Sequence, residues 1–217
     1  MRRATQWLAS VAAFATAALL VPLDGHAAGV AAGEVVENVA TVNYSVGGTP
    51  QTEIESSPTG NSTPGANNGV VTDFIVDRVI DLTLVQDGSA NTPTAPGQLQ
   101  QVTAFVLTND SNADQGYAFA AADLATGTSV NTGPADSIDL GVYTVVVDNG
   151  DGVFNAADDT ATTVNTLAPD ASVFVFVLGD IPGGAIDGDV ANVELTATST
   201  EPGTTTPPTK GSADISP

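Results

Sequence analysis

From residue 28 onward the chain has almost no helical periodicity; short runs of Val, Thr, Ile, Phe and Tyr alternate with clusters of Gly, Pro, Asn and Asp. That pattern predicts an all-β fold. The clearest alternation covers residues 39–46, where Ala40, Val42, Tyr44 and Val46 are expected to face a core and Thr41, Asn43 and Ser45 to face water. Gly47-Gly48 turns the chain into a strand over 51–56, and a loop with Pro58, Gly60, Pro64 and Gly65 leads to another over 70–76. Further strands are expected over 81–85, 101–108, 117–121, 141–147, 162–167, 172–178 and 190–199. Seven strands over about 120 residues suit an immunoglobulin-like antiparallel β-sandwich, here preceded by an extra N-terminal β-hairpin. Residues 173–178 are apolar throughout, so this strand is central and covered on both sides, or lies at an interface. An outer-membrane barrel needs aromatic girdles at both interfaces, and three Tyr and six Phe after residue 27 are too few.

The first residues set the compartment. Arg2 and Arg3 precede an apolar run over 7–21, Pro22 and Gly25 break it, and Gly25-His26-Ala27 offers small residues for cleavage. This is the pattern of a secretory signal peptide over 1–27, cut after Ala27. The run is shorter than the roughly 20 residues that span a bilayer, which favours cleavage over an uncleaved anchor helix, and no membrane span is expected after cleavage. The predicted organisation is a signal peptide (1–27), an N-terminal β segment (28–76), an Ig-like sandwich (77–200) and a Thr/Pro-rich tail or linker (201–217). The product is expected to be secreted or held at the cell surface.

Charge then limits the partners. Cleavage takes the four basic residues to two, Arg78 and Lys210, and the 25 acidic ones to 24, so the net charge moves from −21 to −22. Such a chain binds neither nucleic acid nor an anionic membrane. It needs salt, divalent cations or a basic partner to relieve self-repulsion. There is no Cys, so no disulfide framework supports the fold.

The stretch Asn67-Asn68-Gly69-Val70-Val71-Thr72-Asp73-Phe74-Ile75-Val76 leads to Asp81-Leu82-Thr83-Leu84, then Pro96-Gly97-Gln98, then Val106-Leu107-Thr108-Asn109-Asp110. Over about residues 67–200 this order resembles the Ig-like repeat domain of bacterial and archaeal envelope proteins, a family of largely undefined biochemical function. The family pattern has an Asp-Leu strand, a Pro-Gly turn, a Thr-rich strand ending in Thr-Asn, and a closing strand like the one at Val190. Its usual Lys after the opening strand is replaced here by Val85-Gln86-Asp87. The resemblance implies a stalk-like module of tandem sandwiches. A short echo of Val39-Ala40-Thr41-Val42 in Val190-Ala191-Asn192-Val193 fits a seam between repeats. The N-terminal strands then either extend the sandwich sheet or complete an open edge, in their own chain or in a neighbour. The second alternative makes a homo-oligomer by strand complementation.

Chemistry has few places to reside. The densest oxygen cluster, over 148–159, holds Asp148, Asn149, Asp151, Asp158 and Asp159, the ligand types that calcium takes. It departs from the EF-hand template, with Val147 at the first position and Asp158 in place of the terminal Glu when Gly152 is set at the sixth. The alternative is a hairpin tip, since Asn-Gly and Asp-Gly favour tight turns. Asp180, Asp187 and Asp189 around Pro182-Gly183-Gly184 form a second, weaker candidate. The lone His and Trp, His26 and Trp7, fall in the signal, which removes Ser-His-Asp, Cys-His and zinc chemistry. A two-carboxylate glycosidase would want aromatic platforms, and no Gly-rich phosphate loop with its Lys is present. The expectation is therefore not an enzyme but a structural module of the cell surface or extracellular matrix, with calcium as its cofactor and envelope or matrix components as partners. The alternative is an adhesin-like or carbohydrate-binding module.

Overall fold

A computed structural model describes residues 29–88, 92–129 and 133–209; the expected signal peptide and Lys210 lie outside that set. All regular structure in it is β-strand.

The described residues open with a long two-stranded arm. β1 (Val35–Asn38) pairs with β6 (Thr72–Ile75), β2 (Thr41–Val42) with β5 (Ile54–Glu55), and β3 (Ser45–Val46) with β4 (Thr49–Pro50), all antiparallel. Gly47 and Gly48 close the tip with φ of 58° and 83°, the two positive values that a two-residue hairpin loop demands. The loop over 57–71 is tied to the arm by Glu55, whose Oε2 accepts the Gly69 N–H at 3.0 Å. That bond is the main reason its carboxyl is held below the usual range.

Ala40, Val42, Tyr44 and Val46 do not face a core, which corrects the reading of the alternation. All four are exposed, Val42 at 59% and Val46 at 62%. The reason is architectural: a lone two-stranded ribbon has no second layer to cover either face.

The sandwich follows. β7 (Leu82–Gln86), β8 (Gln101–Asn109), β9 (Gln115–Asp123), β10 (Tyr143–Val147), β11 (Thr163–Leu167), β12 (Ser172–Gly179) and β13 (Val193–Thr200) form two antiparallel sheets. One runs β10-β12-β8-β7 and the other β11-β9-β13. Leu107, Val147, Val175 and Val177 from the first sheet meet Tyr117, Val164 and Leu195 from the second, which makes the main core. Each such aliphatic side chain contributes about 1.5–3 kcal/mol by leaving water.

β12 is central, as its unbroken apolar run implies. Val175 and Val177 point into the sandwich, while Phe176 and Leu178 join a second cluster with Val146 on the outer face. Phe154 and Phe174 cover that cluster. Phe154 meets Phe176 edge-on, with ring centroids 5.6 Å apart, and Phe174 stacks on Phe176 at 6.3 Å. The arm does not extend either sheet; among the described residues its strands pair only with each other.

Candidate functional site

The arm meets the sandwich at the turn from β8 to β9, and five consecutive polar residues build that junction. The Thr108 and Ser172 hydroxyls share a 2.8 Å hydrogen bond. Asn109, fully buried, donates through Nδ2 to the carbonyls of Ala113 and Leu167, and its Oδ1 accepts from the Ser111 N–H and the Tyr117 hydroxyl. Asp110 accepts from the Thr83 hydroxyl at 2.6 Å. The Ser111 hydroxyl donates to the Asp81 carbonyl and accepts from its N–H, both at 2.9 Å. Asn112 then grips both legs of the arm. Its Nδ2 donates to the carbonyls of Val30 and Asp77, and its Oδ1 accepts the Val79 N–H.

Arg78 adds an ion pair at the same pole. Its Nη1 lies 2.7 Å from Glu201 Oε2, and its Nη2 donates to the Asp114 carbonyl. The guanidinium holds the Glu201 carboxyl below its usual range. Residues 201–209 fold back here: Thr209 N–H donates to Glu201 Oε1, and Gly203 N–H to the Asn165 carbonyl.

The loop between β10 and β11 carries the residues singled out for calcium. Asp148 gives both oxygens to the N–H groups of Gly150 and Gly152. Asp159 gives its two to Asn149 and Asn155. Asn149 and Asp151 accept from Asp151 and Val153, and Asp158 accepts from the Asn155 amide. These bonds fold the loop on itself and set Phe154 over the outer face of β12. Of the weaker set, Asp180 accepts the Gln100 N–H, and Asp189 accepts from Ile186 N–H and the Ser137 hydroxyl; Asp187 is exposed.

At the opposite pole from the arm lies a cluster that the sequence did not single out. Asp123 ends β9, and Asp136 and Asp139 stand on the connection to β10; a carboxylate oxygen from each lies within 4.8 Å of the others. No second group of three acidic side chains converges so closely among the described residues. Asp136 is 2% exposed, and its Oδ1 accepts the Asn192 N–H at 2.7 Å. Its backbone is locked to Thr128 and Gly127 at 2.8 Å each. The Tyr143 hydroxyl donates to Asp123 Oδ1. The second oxygens of Asp123 and Asp136 are buried without a hydrogen-bond partner. Burial pushes the Asp123 carboxyl above its ordinary range; Asp139 and Asp136 add to the rise, and the Tyr143 bond opposes it.

No family model matches the chain, and comparison with curated proteins and with solved structures finds no match.

Proposed function

We propose that the chain is a secreted structural module of the cell surface or extracellular matrix, which assembles by laying its β-arm against another copy. The observation that carries this reading is the arm itself. Val35, Val39, Val42, Tyr44, Val46, Phe74 and Ile75 are between 39% and 62% exposed on a ribbon that no second layer covers among the described residues. Exposed apolar side chains at this density along one ribbon are what an interaction surface presents.

The sandwich supplies a receptor of matching form. Numbered from β7, its strands run 1-2-6-4 facing 5-3-7. Set apart from β11, this order supports the Ig-like reading, for a sandwich without the last strand that would pair with the outer edge of β13. Among the described residues no strand occupies that edge. β13 offers eight residues, about 23 Å of backbone, and one leg of the arm from 35 to 46 reaches about 36 Å. A strand added there gains backbone hydrogen bonds, while alternate side chains set the fit. The net charge of −21 opposes the approach of two copies, so association strengthens as salt screens it.

Sedimentation velocity over rising concentration tests this in low and moderate NaCl. The reading expects salt-promoted association in the native chain and weaker association in Val42→Thr/Val46→Thr, which keeps strand propensity but removes apolar surface. A chain that stays monomeric throughout, or a double variant that associates equally well, refutes it.

A further inference from the structure

We propose that Asp123, Asp136 and Asp139 bind one hard divalent cation, calcium by its chemistry, at the pole opposite the arm. Oxygens that share a calcium ion at 2.3–2.6 Å lie up to about 5 Å apart, and these three carboxylates already place oxygens within 4.8 Å of one another. The site is built rather than incidental. Asp136 is buried and held by Asn192 through one oxygen, yet its other oxygen has no donor; Asp123 also buries an unpartnered oxygen beside it. Leaving such oxygens without a donor is costly, and a cation removes that cost for both.

Among the described residues no basic side chain stands beside the cluster. Arg78 is the one basic side chain among the described residues, and it is paired with Glu201 beyond the far end of β9. The nine residues of that strand separate the two sites by about 26 Å, well past the screening length at physiological salt.

The donor set selects the ion. All three ligands are carboxylate oxygens, which suit calcium or magnesium rather than a metal that prefers nitrogen or sulfur. Burial of Asp136 requires the ion to shed water, which magnesium resists and calcium accepts. Exposed Asp139 leaves an entry path and room for water ligands. Bound there, the ion ties the β9–β10 connection to the end of β9.

Isothermal titration of CaCl2 into the EDTA-treated and dialysed chain reads the site directly, with TbCl3 emission sensitised by Tyr143 as a second signal. One binding event is expected, with Kd in the range of about 10⁻⁴–10⁻³ M typical of extracellular modules. Asp139→Asn, at an exposed position, should keep the native circular dichroism spectrum yet weaken binding about tenfold or more, because fewer ligand charges hold the ion. Asp151→Asn, in the β10–β11 loop, should bind as the native chain does. Flat heats in the native chain overturn the proposal, as does unchanged affinity in Asp139→Asn. Loss of binding in Asp151→Asn also overturns it and places the ion in the loop instead.

Discussion

Replacing Asn109 by Ala removes a fully buried side chain that makes four hydrogen bonds between three parts of the chain. Two carbonyls, Ala113 and Leu167, lose their donor, and two donors, Ser111 N–H and Tyr117 hydroxyl, lose their acceptor. The space vacated by the amide admits about one water, which can satisfy two of the four. Two orphans at about 1–3 kcal/mol each leave a loss of about 2–6 kcal/mol. That is a large part of the roughly 5–15 kcal/mol by which a domain is stable. Tyr117→Phe removes only one of the two donors to Oδ1, so it should cost about 1 kcal/mol.

Asn109→Asp separates hydrogen bonding from shape. It keeps the acceptor for Ser111 and Tyr117 but turns an oxygen towards the two carbonyls. The variant should be strongly destabilised at neutral pH. Its folded-state pKa is raised, so stability returns as pH falls through that value and the carboxyl becomes a donor. Urea unfolding followed by circular dichroism measures each midpoint, with an unchanged slope confirming the same transition. A loss below about 1 kcal/mol in Asn109→Ala, or native stability of Asn109→Asp at neutral pH, would show that these bonds do not close this pole.

Other expectations rest on single observations. Gln115 is fully buried with neither amide atom partnered, so Gln115→Met should leave urea stability unchanged or raise it by about 1–3 kcal/mol; a loss would mean that internal water serves the amide. Burial pushes the Tyr117 hydroxyl from 10.0 up to about 12, so its contribution is intact below pH 10 and is lost as pH rises towards 12. Melting midpoints across that window should fall less steeply in Tyr117→Phe than in the native chain. Phe154→Ala uncovers Phe176 and should cost about 1–3 kcal/mol in the same urea assay, whereas a neutral result would deny that the loop acts as a cover. Asn112→Ala frees both legs of the arm from the junction, so amide exchange should quicken over residues 30–38 and 72–79 while β12 keeps its protection.

The sandwich was legible in the sequence because its strands are short and sharply punctuated. The apolar run 173–178 lies in β12, with both faces covered, and the strand expected over 190–199 became β13, where Leu195 is buried and Glu194 and Thr196 are exposed. The arm shows the same period-two signal in residues 39–46, but the inference from it was wrong. Alternation reports the pleat of a strand and says nothing about what lies opposite. Whether Val42 meets a core or water depends on a second layer, and a layer is a property of the whole chain or of an assembly. The Thr108–Asn112 turn was legible as a strand end, yet its role as the hub of the junction was not. Its partners, Val30, Asp77, Asp81 and Leu167, lie between 30 and 82 residues away or across the sandwich.

The acidic residues are arranged in two contrasting ways. In the β10–β11 loop, Asp148, Asn149, Asp151 and Asn155 each accept the N–H two residues onward. That spacing is the Asx-turn, the local bond that makes these residues turn formers in the first place. Close packing in sequence therefore engages the oxygens with the loop's own backbone. Asp123, Asp136 and Asp139 are spread over 17 positions, with a doubled-back connection between the first two. Asp136 takes its hydrogen bond from Asn192, 56 residues away, and keeps one buried oxygen unpartnered. A carboxylate held by a distant part of the fold can point at its neighbours instead of at its own turn. The proposed cation site rests on that convergence of charge without a local donor, which arises here where separate parts of the fold meet at one pole.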